Sequence, residues 1–153
     1  MTRVTPWKQC RSYRRPSGRR HDRGGVTQLI PIAISELTAG HIHSLVKDGV
    51  GEGRTIEYKR DLPGSTDEAK GEFLADVSSF ANAGRGDLIF GVDADNGIPT
   101  RIVGLTGIHA DAELLRLEST IRDGVAPRII GLRMRVIDGF ADGPVVIVRV
   151  QRS

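Results

Sequence analysis

The chain has 153 residues, 39% of them apolar and 27% charged, with a single cysteine. That is the size and balance of one globular domain able to bury a core. Its longest apolar runs, such as Val145–Val148, are far too short to span a bilayer, and Cys10 alone excludes an internal disulfide.

The net charge of +3 is unevenly placed. Residues 1–25 carry eight Lys/Arg against one Asp, whereas residues 26–153 carry fourteen Lys/Arg against eighteen Asp/Glu. Residues 1–28 therefore read as a basic, disordered N-terminal arm, with Arg3, Lys8, Arg11, Arg14, Arg15, Arg19, Arg20 and Arg23 among Pro, Ser and Gly. Such an arm either adds phosphate affinity through counterion release or is a plain solvated tail, and the plain tail is favoured. No stretch there has the apolar centre of a signal peptide, so a cytoplasmic location is expected.

Residues 29–34, broken by Pro31, read as an edge strand or an extended lead-in. Thr38 to Asp48 predicts a short helix capped by Thr38, with Ile42, Leu45 and Val46 on its apolar face. His41 and His43 point apart on such a helix and are expected to be solvated. Gly51 to Asp61 predicts a strand entered through a Gly-rich turn, with Ile56 and Tyr58 inward and Glu57 and Lys59 on the other face. Ser65-Thr66-Asp67-Glu68 is a capping-box pattern, and Phe73, Val77 and Phe80 give the helix that follows its core stripe. The helix is expected to end at a Gly turn, followed by an apolar strand that finishes in an acid.

Asp95-Asn96-Gly97 predicts a turn, with a strand over Ile98 to Leu105 behind it. Ala110 to Asp123 predicts a second main helix with Leu114, Leu117 and Ile121 on one face and Gly124 as its stop. Ile129 to Ile137 predicts a strand with Ile130, Leu132, Met134 and Val136 on one face and Arg133, Arg135 and Ile137 on the other. A loop over Gly139 to Gly143 returns the chain to a last strand, Val145 to Val150. The order predicts an α/β (α+β) fold with a single mixed sheet and two main helices over residues 29–153.

Three features carry chemistry. Glu57 and Lys59 on one strand face form an acid-x-Lys pair, in which a carboxylate can hold Mg2+ or Mn2+ while the ammonium steadies phosphate charge. Glu52 joins Glu57 only if Gly51-Glu52-Gly53 bends the chain back. Gly84-Arg85-Gly86 is a tight turn able to present amides to a phosphate, and Arg133 and Arg135 share a strand face able to track a nucleic-acid backbone. A solvated sheet face and a small-residue turn explain the same residues without any ligand.

Glu52, Glu57-Tyr58-Lys59, Phe80-Ala81-Asn82, Gly86 and Ile89-Phe90-Gly91-Val92-Asp93 stand in an order and spacing that resembles the Schlafen AlbA-type domain. The likeness runs from about Leu37 to Val150. It implies a nucleic-acid-binding, DNA-binding module of a bacterial transcriptional regulator, or alternatively a metal-dependent endoribonuclease. For the second activity the resemblance implies catalytic Glu52, Glu57, Lys59, Asp93 and Asp95, with Mg2+ or Mn2+ on Glu52, Glu57 and Asp93. Ala94 stands where the family's third acid is expected, flanked by Asp93 and Asp95.

For nucleic-acid contact the expected residues are Lys59, Arg60, Arg85, Arg133 and Arg135. Members of the family often carry an ATP-binding label, which the absence of a Gly-Lys-Ser/Thr phosphate loop does not support. The expected partners are DNA or RNA and a second copy of the chain, with no membrane. The chain stops three residues after a core strand, which the resemblance reads as a domain cut short at its C-terminal end.

Overall fold

Two apolar clusters lie on opposite faces of one mixed sheet in the computed structural model, which describes Thr5–Pro6 and residues 32–151. The expectation of a disordered arm otherwise falls outside the described residues, as do residues 29–31 of the 29–34 segment, whose last residue opens the 3-10 turn Ile34–Glu36 instead of a strand. Thr5–Pro6 (β1) pairs antiparallel with Val125–Ala126 (β6). The central sheet has the order β2-β3-β8-β7, built from Ile56–Lys59 (β2), Arg85–Phe90 (β3), Val145–Gln151 (β8) and Leu132–Ile137 (β7). β2 runs parallel to β3, and the other pairs are antiparallel. Val92–Asp95 (β4) and Ile98–Ile102 (β5) form a separate ribbon. With three α-helices among the described residues, the fold is α+β.

The turn chemistry explains the breaks. Gly91 has φ +103°, so the apolar strand expected to run on to Asp93 is cut there into β3 and β4. Asn96 and Gly97 at φ 50° and 79° form the tight turn that joins β4 to β5.

Ala39–Lys47 (α1) starts at Thr38, whose amide donates to His41 Nδ1 at 3.0 Å. His41 thus closes a helix cap, and His43 packs on Phe140 with ring centroids 5.3 Å apart. Asp67–Ala83 (α2) is capped by Thr66, whose hydroxyl accepts the Ala69 amide at 3.1 Å. The position three residues into the helix is therefore Ala69, and Glu68 cannot close the reciprocal half of a capping box. Gly84 in the left-handed region, φ 95°, ends α2. The third helix, Ala110–Gly124 (α3), runs through the glycine expected to stop it and hands directly to β6.

Phe73, Val77 and Phe80 of α2 and Leu117 and Ile121 of α3 pack with Leu88, Phe90, Val146 and Val148 on one face of the sheet. Leu37 and, from α1, Ile42 and Leu45 pack with Ile56, Tyr58, Ile89 and Ile147 on the other. β7 begins at Leu132, so Ile130 precedes it and stands 74% exposed, outside the apolar face expected to include it.

One ion pair runs through the second face. Arg149 Nε and Nη2 donate to Asp87 Oδ1 and Oδ2 at 2.6 and 3.0 Å, and Arg149 Nη1 donates to the Ile32 carbonyl. Both side chains are buried. Burial pushes the Asp87 carboxyl upward, while the guanidinium bonds pull it back.

Candidate functional site

β2 is an edge strand, so one side of its backbone needs partners outside the sheet. Glu52 supplies one. The Gly51–Gly53 segment bends as the sequence required: the Glu52 amide donates to the Gly97 carbonyl at 2.7 Å, and the Gly53 amide to the Ile56 carbonyl at 3.0 Å. This turns the Glu52 carboxylate onto β2, where Oε1 accepts the Tyr58 amide at 3.1 Å. Tyr58, inward as expected, donates its hydroxyl to the Val50 carbonyl at 2.6 Å. Burial and then the Glu52 charge push the Tyr58 phenol upward. Glu52 itself is raised, chiefly by burial and further by the Glu57 charge, against the opposing Tyr58 amide and Lys59.

On the opposite face of β2, Lys59 Nζ lies 3.2 Å from Glu57 Oε1 and 3.3 Å from Asp76 Oδ2. Asp76 comes from α2, one residue before core Val77, and its side chain is only 18% exposed. Burial first and then the Glu57 charge raise the Asp76 carboxyl from 3.8 to about 7, against the pull of Lys59. Those two carboxylates in turn hold the Lys59 ammonium in its charged form against burial. The result is an ammonium flanked by two acids beside a groove of about 230 Å3 lined by Leu62, Phe73 and Phe90. Asp76 was not anticipated. Its signal was a lone acid inside the apolar run Phe73-Leu74-Ala75-Asp76-Val77.

Asp93 is held elsewhere, 3.9 Å from Arg60 and 3.6 Å from Arg101. A register shift at Asp93/Ala94 bends β4 at the very position where the third acid was expected, and Asp95 closes the strand at the turn, exposed. Among the described residues no group of three or more acids, histidines or cysteines is arranged to hold a metal ion. Glu52 and Glu57 are near enough to feel each other's charge, while Asp93 faces arginines. The donor set therefore does not fit a three-carboxylate Mg2+ or Mn2+ centre.

The expected nucleic-acid residues are dispersed. Lys59 and Arg60 are adjacent at the end of β2, whereas Arg85 starts β3, five residues back from Phe90, the partner of Lys59. That places Arg85 about 16 Å along the sheet from Lys59. Register rows run Ile56–Asp87–Arg149–Arg133 and Tyr58–Ile89–Ile147–Arg135. Arg133 and Arg135 therefore share the face of Ile56 and Tyr58, opposite Lys59 and at the far edge of the sheet. Arg135 donates to the Ile34 carbonyl at 2.7 Å, and exposed Arg133 to the carbonyl of Leu132 at 2.9 Å. Arg101, unnoticed in the sequence, is the cation that does stand beside Arg60, through their shared Asp93.

An α+β domain with an acid–lysine–acid cluster between its edge strand and α2 is the class these features define. The chain belongs to the Schlafen, AlbA_2 family, whose model matches residues 52–153 and which is associated with nucleic acids. No curated protein matches the chain. No helix among the described residues is long and apolar enough to cross a membrane.

Proposed function

We propose that this domain binds nucleic acid through its phosphates, as the DNA-binding module of a bacterial regulator. The observation that carries the reading is the loose arginine pair beside Lys59. Arg60 and Arg101 are 55% and 65% exposed and share one carboxylate, Asp93, at 3.9 and 3.6 Å. Exposed pairs at such distances contribute about 0–1 kcal/mol, so a phosphate can take the place of Asp93 at little cost. Guanidinium groups bind phosphate oxygens with two parallel bonds, which fixes orientation without reading sequence. Lys59 adds a third cation, although Glu57 and Asp76 hold much of its charge.

A second reading, a metal-dependent endoribonuclease of Schlafen type, draws support from Glu57 and Asp76 flanking Lys59, with Glu52 near enough to feel the charges of Glu57 and Lys59. The misfit of Asp93 to a metal set places it second.

One experiment separates the two. Labelled single- and double-stranded RNA and DNA are incubated with the wild type and with Lys59→Ala, Arg60→Ala and Glu57→Ala, with and without Mn2+. Binding is expected to weaken in the first two variants, and the salt slope of each to fall by about 0.7–0.9. Glu57→Ala is expected to keep or slightly improve affinity, because it removes a negative charge from a polyanion surface. Absence of binding in the wild type would sink the reading. Mn2+-dependent RNA cleavage that disappears in Glu57→Ala would replace it with the nuclease.

A further inference from the structure

We propose that the groove between α3 and the 127–134 segment is the face through which two copies of this chain pair. The groove encloses about 1120 Å3 and is walled by Leu114, Leu115 and Ile121 on the helix and by Ile129, Leu132 and Met134 opposite. At its rims Leu115 is 65% exposed and Ile130 74%, more than any other large apolar side chain among the described residues. Apolar side chains at the mouth of an apolar groove favour burial against a partner.

Charge selects the occupant. Asp111, Glu118 and Arg122 line the helix side, and Arg128 and Arg133 the other. Arg122 is taken up by Asp123 at 3.6 Å, whereas among the described residues Asp111, Glu118, Arg128 and Arg133 form no ion pair, which leaves the helix side acidic and the other basic. A groove with one acidic side and one basic side is complementary to itself after a half turn. A purely basic partner would meet Arg128, and a purely acidic one would meet Asp111 and Glu118, so neither satisfies both sides. In a twofold pair each contact occurs twice: Ile130 meets Leu115 of the partner subunit, and Arg128 meets Glu118 of the partner subunit.

Strand addition along β7 is a poorer route to the same pair. That edge carries the exposed Arg133, and Arg135 is committed to the Ile34 carbonyl. The groove lies on the β7 side of the sheet, away from β2, so pairing leaves Lys59 and Arg60 of both copies open.

The test is sedimentation equilibrium of the full chain from low micromolar to several hundred micromolar concentration. A reversible dimer is expected. Leu115→Asp and Ile130→Asp are each expected to weaken it tenfold or more. Glu118→Arg and Arg128→Glu should each weaken it too, and their combination should restore it. All four sites are exposed, so an unchanged thermal midpoint checks that each variant folds. A wild type that stays monomeric throughout overturns the proposal, as does a dimer indifferent to Leu115→Asp or a charge swap that fails to rescue. A monomer whose residues 7–31 become more protease-sensitive in Ile130→Asp would assign the groove to the chain's own N-terminal segment and also overturn it.

Discussion

Asp76 spends part of the fold's stability on a charge. Its carboxyl is raised from 3.8 to about 7 because burial and the nearby Glu57 charge disfavour ionisation more than Lys59 favours it. The folded state therefore holds this proton more tightly than the unfolded chain. The stability it contributes is complete below about pH 4 and is lost as pH rises through about 7. Asp76→Asn keeps the shape and removes the titration. Its stability relative to wild type is expected to improve by about 1–4 kcal/mol between pH 4 and pH 8, since each tenfold gain in proton affinity on folding is worth about 1.4 kcal/mol. Urea unfolding of both proteins across that range measures it. A difference that stays constant with pH would show that Asp76 ionises in the fold as freely as in water.

The junction of α2 and β3 is closely packed. A Cβ added at Gly86 would run into the ring of Phe80, so the helix and strand approach closely only because residue 86 has no side chain. Phe80 is 4% exposed and meets Leu88 and Phe90 in the core. Phe80→Ala is expected to cost about 3–5 kcal/mol and Gly86→Ala about 1–3 kcal/mol. If Phe80→Ala makes room, the double variant should fall short of the sum of the two, since neighbours couple. Additive losses in thermal unfolding would mean that ring and glycine do not oppose each other. This junction is legible in the sequence, because a Phe73–Val77–Phe80 stripe and a glycine turn are local signals that tertiary structure reinforces.

The site is legible only in part, and for a physical reason. The pairing of Glu57 with Lys59 follows from strand alternation, and the return of Glu52 follows from two glycines. Asp76 and Arg101 reach the site through helix-to-strand and ribbon packing, which no spacing along the chain encodes. The buried Asp87–Arg149 pair is likewise set by β3–β8 register. Arg133 and Arg135 do not join Lys59, because strand alternation gives the two faces but not which of them each helix covers.

Across the whole molecule the charge is split by position, with eight Lys/Arg and one Asp in residues 1–25 and an acidic excess in residues 26–153. An acidic domain repels a polyanion beyond the reach of its own local cations, over a Debye length of about 8–10 Å. The first 25 residues carry the opposite charge, and of these Thr5–Pro6 pair with β6. A chain beginning at Gln28 loses the β1–β6 pairing and is expected to keep its thermal midpoint. Its nucleic-acid binding is expected to weaken at low salt and to become less salt-dependent, with the slope falling by about 0.7–0.9 for each phosphate that the first residues had neutralised. At high salt the two chains should converge, because the counterion release that the first residues add loses its worth as salt rises. An unchanged slope would place all the counterion release on the domain's own cations.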